Sequence, residues 1–136
     1  MYVTQPLERT WAMLLRTQKR DGTRVGTPVN VAVEDDRAYF GTAASSGKVK
    51  RLRNFDRVEV APCTLRGKPT GSALTARARL LEGDEAVEAE RRMKAKYPFV
   101  YRVNVPIEHR LKRTHGVFYE LSDLAVTVEA WDRDGS

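Results

Sequence analysis

The chain is poor in the residue types that build metal sites and disulfides. Its 136 residues include a single cysteine, Cys63, and two histidines, His109 and His115. One cysteine excludes an intramolecular disulfide, and the histidines lack the H-E-x-x-H spacing of a zinc protease. A zinc cluster would have too few soft ligands, so we predict no metal site.

Motifs for nucleophilic catalysis and dinucleotide binding are also missing. No G-x-S-x-G elbow surrounds Ser45 or Ser46, and no G-x-G-x-x-G fingerprint opens a helix. Cys63 would need a basic partner to form a thiolate, and we interpret it instead as a small hydrophobic side chain in a strand. These absences argue against hydrolytic chemistry and against a standard dinucleotide site.

Long hydrophobic runs are absent as well. The longest apolar segment is far shorter than the roughly 20 residues of a membrane-spanning helix. The opening residues, "MYVTQPLERTW", lack the basic start and apolar middle of a signal peptide. We therefore expect a cytoplasmic protein with no membrane partner, and the single cysteine fits a reducing compartment.

What the chain does have is an excess of positive charge that is unevenly distributed. The net charge is +6 and the pI about 9.7. Four cations fall in one short stretch and two follow a little further on: Lys48, Lys50, Arg51, Arg53, Arg66 and Lys68. Such clustering is compatible with nucleic acid, with a phosphorylated cofactor, or with a solvated surface.

Alternating and β-branched segments predict a mainly β protein. Asp21-Gly22 predicts a tight hairpin turn between the first two strands, with both residues at positive φ. The first three strands are expected to pair in order as an antiparallel meander. The strand segments are 10–20, 24–34, 37–42, 57–66, 72–82 and 117–131.

Helical patterns are few. A short helix is expected to be capped by Ser45 or Ser46 and to end near Asn54, and a longer one covers 83–98. A weaker helical pattern, "VPIEHRLKRTHG", covers 105–116. Strands dominate without regular β-helix-β alternation, which argues against a Rossmann-type sheet and favours one small antiparallel barrel domain spanning the whole chain.

The segment "GTAASSGKVKRLRN", residues 41–54, nearly matches a phosphate-binding P-loop. Five residues separate Gly41 from Gly47 where a P-loop has four, and Val49 stands where a hydroxyl residue would bind magnesium. A helix N-terminus still favours a phosphate through its N–H groups and dipole. Lys48 and Arg51 would add charge and hydrogen bonds, so we predict that an anion binds here.

Three consecutive segments resemble the pyridoxamine 5'-phosphate oxidase-like split-barrel proteins, in particular the actinobacterial branch that uses the deazaflavin coenzyme F420. The segments are "GTPVNVAV", "YFGTAASSGKVKRLRN" and "RVEVAPCTLRGKP". The resemblance covers 21–71 strongly and the last strand more loosely. It implies a six-stranded antiparallel split β-barrel of the FMN-binding type, pairing as a homodimer with the cofactor groove at the interface.

The resemblance also implies which residues hold the coenzyme. Strands two and three would line the ring, through Val29, Asn30 and Thr42. The Ser-Gly-Lys turn and its helix would bind the phosphate, through Ser46, Gly47, Lys48, Lys50 and Arg51. Arg66 is implied for the acidic tail.

The function implied is a reductase that transfers hydride from reduced F420 to a small organic acceptor, with no catalytic residue assigned. In such enzymes the cofactor carries the chemistry, which agrees with the missing acid, base and nucleophile motifs. One alternative is an FMN-binding flavoprotein of the pyridoxamine-phosphate oxidase type, although the chain stops at "EAWDRDGS" without the Arg- and Trp-bearing segment of those enzymes. Another alternative is a non-catalytic cofactor- or nucleic-acid-binding barrel; the 8% aromatic content disfavours nucleic acid.

Overall fold

The computed structural model describes residues 2–98 and 116–126, and within these ranges it contains seven strands and three helices. No helix in these ranges is long and apolar enough to cross a membrane. Nearly all of the weak helical pattern at 105–116 and the end of the last predicted strand lie outside the described residues. In chain order the elements are α1 (Gln5–Glu8), β1 (Ala12–Gln18), β2 (Arg24–Val29), β3 (Ala32–Glu34), β4 (Arg37–Ala43), α2 (Gly47–Asn54), β5 (Arg57–Cys63), β6 (Leu74–Leu80), α3 (Gly83–Lys96) and β7 (Gly116–Val126).

The strands form one curled antiparallel sheet in the order β2-β1-β5-β6-β7-β4-β3. β2 and β3 occupy opposite edges of this sheet, yet only Asn30 and Val31 separate them in the chain. The two edges must therefore meet, and the segment 24–34 closes the barrel by pairing with β1 through its first half and with β4 through its second. Counted as one bent segment, 24–34 gives the six strands that were predicted, and the mainly β split-barrel class is confirmed.

The β1–β2 hairpin turns at Asp21 and Gly22, as predicted. Of these two residues only Gly22 has a positive φ, of 92°. The Asp21 carboxylate instead accepts hydrogen bonds from Thr23, at 3.0 Å from N and 2.7 Å from Oγ1, which lower the pKa of Asp21. The expectation of positive φ at both residues is wrong because the loop is longer than two residues: Lys19 N donates to Thr23 O at 2.8 Å.

Side chains that point into the barrel form the main hydrophobic core. On β1 these are Met13 and Leu15, both fully buried, and the polar Thr17 is buried on the same face. Phe40 of β4 and Tyr119 of β7 stack with ring centroids 5.2 Å apart and planes at 9°. The other buried members of this core are Leu7, Val31, Ala38, Leu52, Val58, Val60, Leu74, Ala76, Ala78 and Leu121.

Helix α3 covers the outer face of β3, β4 and β7. Its buried Met93 and the following Tyr97 belong to a second cluster with Tyr39 and Phe118. Gly41 is required beneath this layer, because a Cβ there would lie 2.7 Å from the Phe118 ring. Helix α3 therefore packs on the sheet through this buried face.

A buried carboxylate, Glu120 of β7, ties neighbouring strands together under α3. Its oxygens accept hydrogen bonds from Arg37 Nη1 at 3.0 Å and from Arg79 Nη2 at 3.1 Å. Arg79 also binds Glu85 in bidentate fashion, with both distances 3.0 Å. The Glu120 side chain is 8% exposed, while both arginines are about half exposed, so one buried charge is neutralised from the surface.

Candidate cofactor-binding site

Helix α2 begins directly after β4 and presents its N-terminus at one end of the barrel. Ser46 N donates to Ala43 O at 3.0 Å, which turns the chain into the helix at Gly47. Leu52 is buried in the barrel core and Val49 packs against the same core, because residues three apart share a helix face. The first turn of α2 contains no acidic residue, so the positive end of the helix dipole has no carboxylate of its own.

Ser46 is the N-cap residue by position, but its side chain makes no capping hydrogen bond. Thr42 Oγ1 of β4 instead donates to Ser46 Oγ at 3.2 Å. The prediction of a serine cap is right about where the helix starts and wrong about the bond, because the Ser46 hydroxyl pairs back to the strand. Two residues implied for different parts of the cofactor, Thr42 and Ser46, are thus in direct contact.

Arg51 reaches back across the first turn of α2. Its Nε donates to Thr17 Oγ1 at 2.5 Å, and Thr17 is fully buried on β1. One guanidinium nitrogen, Nη1, lies 2.8 Å from the point where a Cβ on Gly47 would stand. Gly47 therefore leaves the space that Arg51 uses, and any side chain there would displace the guanidinium.

Lys48 lies beside Arg51 and is half-buried. Burial lowers the pKa of Lys48, and repulsion from Arg51 lowers it further. We call Lys48 and Arg51 the α2 cation pair. Two cations at the positive end of a helix repel each other and the dipole, and a bound anion would relieve both repulsions. Lys50 is exposed, outside this pair.

The residues implied for the ring lie where the barrel closes. Val29 ends β2 opposite Met13 and packs against the core, and Asn30 Nδ2 donates to Trp11 O at 3.3 Å. Thr42 lies near the end of β4, opposite Val117 of β7. The structure thus puts Val29 and Asn30 on the closing segment and Thr42 with the α2 turn.

Arg66 lies apart from the α2 cation pair. It is exposed on the turn between Thr64 and Lys68, where Thr64 N donates to Lys68 O at 2.9 Å. Among the described residues no hydrogen bond or ion pair joins Arg66 to α2. An acidic tail would have to extend away from the helix to reach this residue.

Sequence reasoning missed Thr17, which holds Arg51 in place. Its signal was available, because Thr17 continues the inward positions of Met13 and Leu15 as a polar residue in an apolar series. A buried hydroxyl in such a series needs a partner. The sequence could not say that the partner is Arg51, 34 positions away.

Comparison with known proteins supports the fold and gives little beyond it. No protein-family model matches the chain, and no curated protein matches it. Among solved structures, a protein of unknown function from Agrobacterium tumefaciens superposes with a TM-score of 0.66 at 21% identity, over 89% of this chain and 52% of that one. The chain thus spans about half the length of that protein.

Two further structures match over nearly their whole length. A Listeria innocua protein, named as a candidate pyridoxamine 5'-phosphate oxidase, has a TM-score of 0.59 at 14% identity, over 91% of this chain and 94% of that one. A protein named F420 reductase has a TM-score of 0.57 at 15% identity, over 92% and 93%. The likeness establishes a split-barrel fold of the pyridoxamine-phosphate oxidase type, on which the site residues decide the function.

Proposed function

We propose that this protein binds a phosphorylated flavin-like cofactor, coenzyme F420, and acts as a reductase on a small organic acceptor. The observation that carries the proposal is the α2 cation pair, which faces a helix N-terminus without a carboxylate in a fold shared with a protein named F420 reductase. The cation pair favours an anion by its charge, and the helix N-terminus favours one by its dipole.

The residues of this corner fit a phosphate group. Gly47 carries no side chain, so the Arg51 guanidinium can lie beside the helix N-terminus. Lys48 supplies an ammonium, and Arg51 supplies a guanidinium that Thr17 already holds in position. We assign the phosphate to Ser46, Gly47, Lys48 and Arg51.

The rest of the groove would hold the ring and tail. We assign the ring to Val29, Asn30 and Thr42. We assign the acidic tail to three exposed cations, Lys50, Arg53 and Arg66. The resemblance implied Lys50 for the phosphate, but Lys50 lies outside the α2 cation pair. When bound, reduced F420 supplies the hydride for reduction. The chain's own residues would bind and orient the cofactor and keep water from the ring, and no acid or base is assigned among them.

The surplus of cations favours F420 over FMN. A phosphate needs the α2 cation pair, whereas Lys50 and Arg53 are additional exposed cations on the same helix. F420 carries an acidic tail that FMN lacks, and this tail would use them. FMN stays the alternative cofactor within the same fold.

Titration of the purified protein with F420 and with FMN, followed by cofactor and tryptophan fluorescence, tests the proposal. We expect F420 to bind more tightly, with an affinity that falls as salt is added. Tighter binding of FMN would move the protein to the flavin class. Binding of neither, with salt-sensitive retention of single-stranded DNA, would favour a nucleic-acid-binding barrel and refute the cofactor assignment.

We also propose that the protein acts as a homodimer whose partner chain completes the groove. Large apolar side chains stay exposed on the described surface, including Trp11 at 49% and Leu65 at 70%. A second copy of the chain can bury such side chains in a symmetric interface. Light scattering at micromolar concentration should give twice the chain mass, and a monomer with and without cofactor would contradict the proposal.

A further inference from the structure

Lys96, the last residue of α3, and Tyr97, which follows it, bind the backbone of two other segments. Lys96 Nζ donates to Val31 O at 2.7 Å and to Leu7 O at 3.3 Å. The Tyr97 hydroxyl donates to Trp11 O at 2.7 Å and accepts from Val31 N at 3.1 Å. Val31, Leu7 and Tyr97 are fully buried, so these bonds satisfy groups that water cannot reach.

These bonds converge on the point where the barrel closes. Asn30 and Val31 are the two residues that carry the chain from β2, at one edge of the sheet, to β3 at the other. Lys96 binds the carbonyl of Val31 and Tyr97 binds its N–H. Asn30 donates to Trp11 O, the same carbonyl that accepts from the Tyr97 hydroxyl. Both residues of the bend are therefore held by these contacts. The neighbouring Val29 and Asn30 are the residues assigned to the cofactor ring.

Lys96 is an unusual choice for this position. Burial lowers the pKa of Lys96 to about 8, and Glu8 of α1 opposes the shift. The Tyr97 ring lies 5.3 Å from the ammonium, and burial raises the pKa of Tyr97 above its usual value. Because folding lowers the Lys96 pKa, the contribution of Lys96 to the free energy of unfolding rises as pH increases from about 8 towards 10.5. Stability alone would therefore favour an uncharged side chain at neutral pH.

We propose that Lys96 is a positioning residue whose ammonium clamps the Asn30–Val31 bend to α1, and that losing its proton loosens the bend and weakens cofactor binding. A charged donor makes hydrogen bonds roughly twice as strong as a neutral one, so the two carbonyl contacts weaken when Lys96 becomes an amine. Global stability and the clamp then respond to pH in opposite directions. The effect on the cofactor rests on the function proposed above, whereas the clamp itself does not.

Trp11 reports on the clamp without any cofactor. Its carbonyl accepts the Tyr97 hydroxyl, and its ring meets the Tyr97 ring edge-on at 4.8 Å. Trp131→Phe leaves Trp11 as the single tryptophan. In that background we expect Trp11 emission to change with a midpoint near pH 8, to lose this transition in Lys96→Met, and to keep it in Lys94→Met.

Lys94 is the matched control because it lies on the same helix, is about half exposed, and pairs with Glu90 at 3.5 Å. The α-amino group titrates in the same range, so only a transition lost with Lys96 counts for the clamp. No transition at all, or the same transition in Lys96→Met, would overturn the proposal.

Cofactor affinity gives the second readout. Between about pH 7 and about pH 9.5, we expect the F420 affinity of the unaltered protein to fall at least about threefold further than that of Lys96→Met. A decrease in F420 affinity that both proteins share comes from the titration of other groups. An equal decrease in the two proteins would show that the clamp does not affect cofactor binding. If neither protein binds F420 or FMN, the proposed function fails, and the Trp11 titration still decides the clamp.

Discussion

Replacing Lys48 by Met should weaken cofactor binding without lowering the stability of the free protein. Methionine keeps the apolar stem of this half-buried side chain and removes only its charge. A charge-assisted hydrogen bond to phosphate is worth about 1.5–3 kcal/mol, so we expect F420 to bind roughly ten- to a hundredfold more weakly. In the free protein, burial and Arg51 lower the Lys48 pKa, so at neutral pH the ammonium costs stability. The melting temperature of the free variant should equal or exceed that of the unaltered protein.

The assay combines a fluorescence titration with thermal unfolding of the cofactor-free protein. Lys50→Met is the matched control: it removes the same charge from an exposed position on the same helix, and should weaken binding less. Equal F420 affinity in Lys48→Met and the unaltered protein would refute the phosphate assignment. A drop in both affinity and melting temperature would instead show that Lys48 supports the fold.

Two further substitutions, the first with a matched control, test the fold and the site. Glu120→Gln leaves two arginines without their buried carboxylate and should lower the free energy of unfolding by about 2 kcal/mol, discounted because both are half exposed. Urea titration measures the free energy of unfolding of each variant. Glu88→Gln, at a more exposed helix pair, should lower it much less than Glu120→Gln, and an equal decrease would contradict a special role for Glu120. Gly47→Ala places a Cβ 2.8 Å from Arg51 Nη1, so it should weaken F420 binding with little change in melting temperature; unchanged affinity would mean that Arg51 does not contact the phosphate.

The strands could be read from the sequence because their signal is local. The alternation of buried and exposed positions in β1 and β6 depends only on the two-residue period of a strand. The closure of the barrel was not readable, because the bend at Asn30–Val31 is fixed by partners far along the chain. Lys96 is 65 positions from Val31 and Tyr97 is 66. Helix α1 was missed because four residues give no periodic pattern.

The site, like the fold, has features that follow from local sequence and features that depend on distant contacts. The start of α2 and the closeness of Lys48 to Arg51 follow from helix geometry, in which residues three apart share a face. Thr17 holds Arg51 in position, and Lys96 and Tyr97 hold the Asn30–Val31 bend. None of these three residues belongs to a recognisable motif. A motif therefore indicates which groups can meet a phosphate, whereas the long-range contacts determine whether those groups stay in position once the phosphate is bound. For this reason, a chain that kept "SSGKVKR" and lost the contacts at Thr17 and Val31 should have the composition of the site without its affinity.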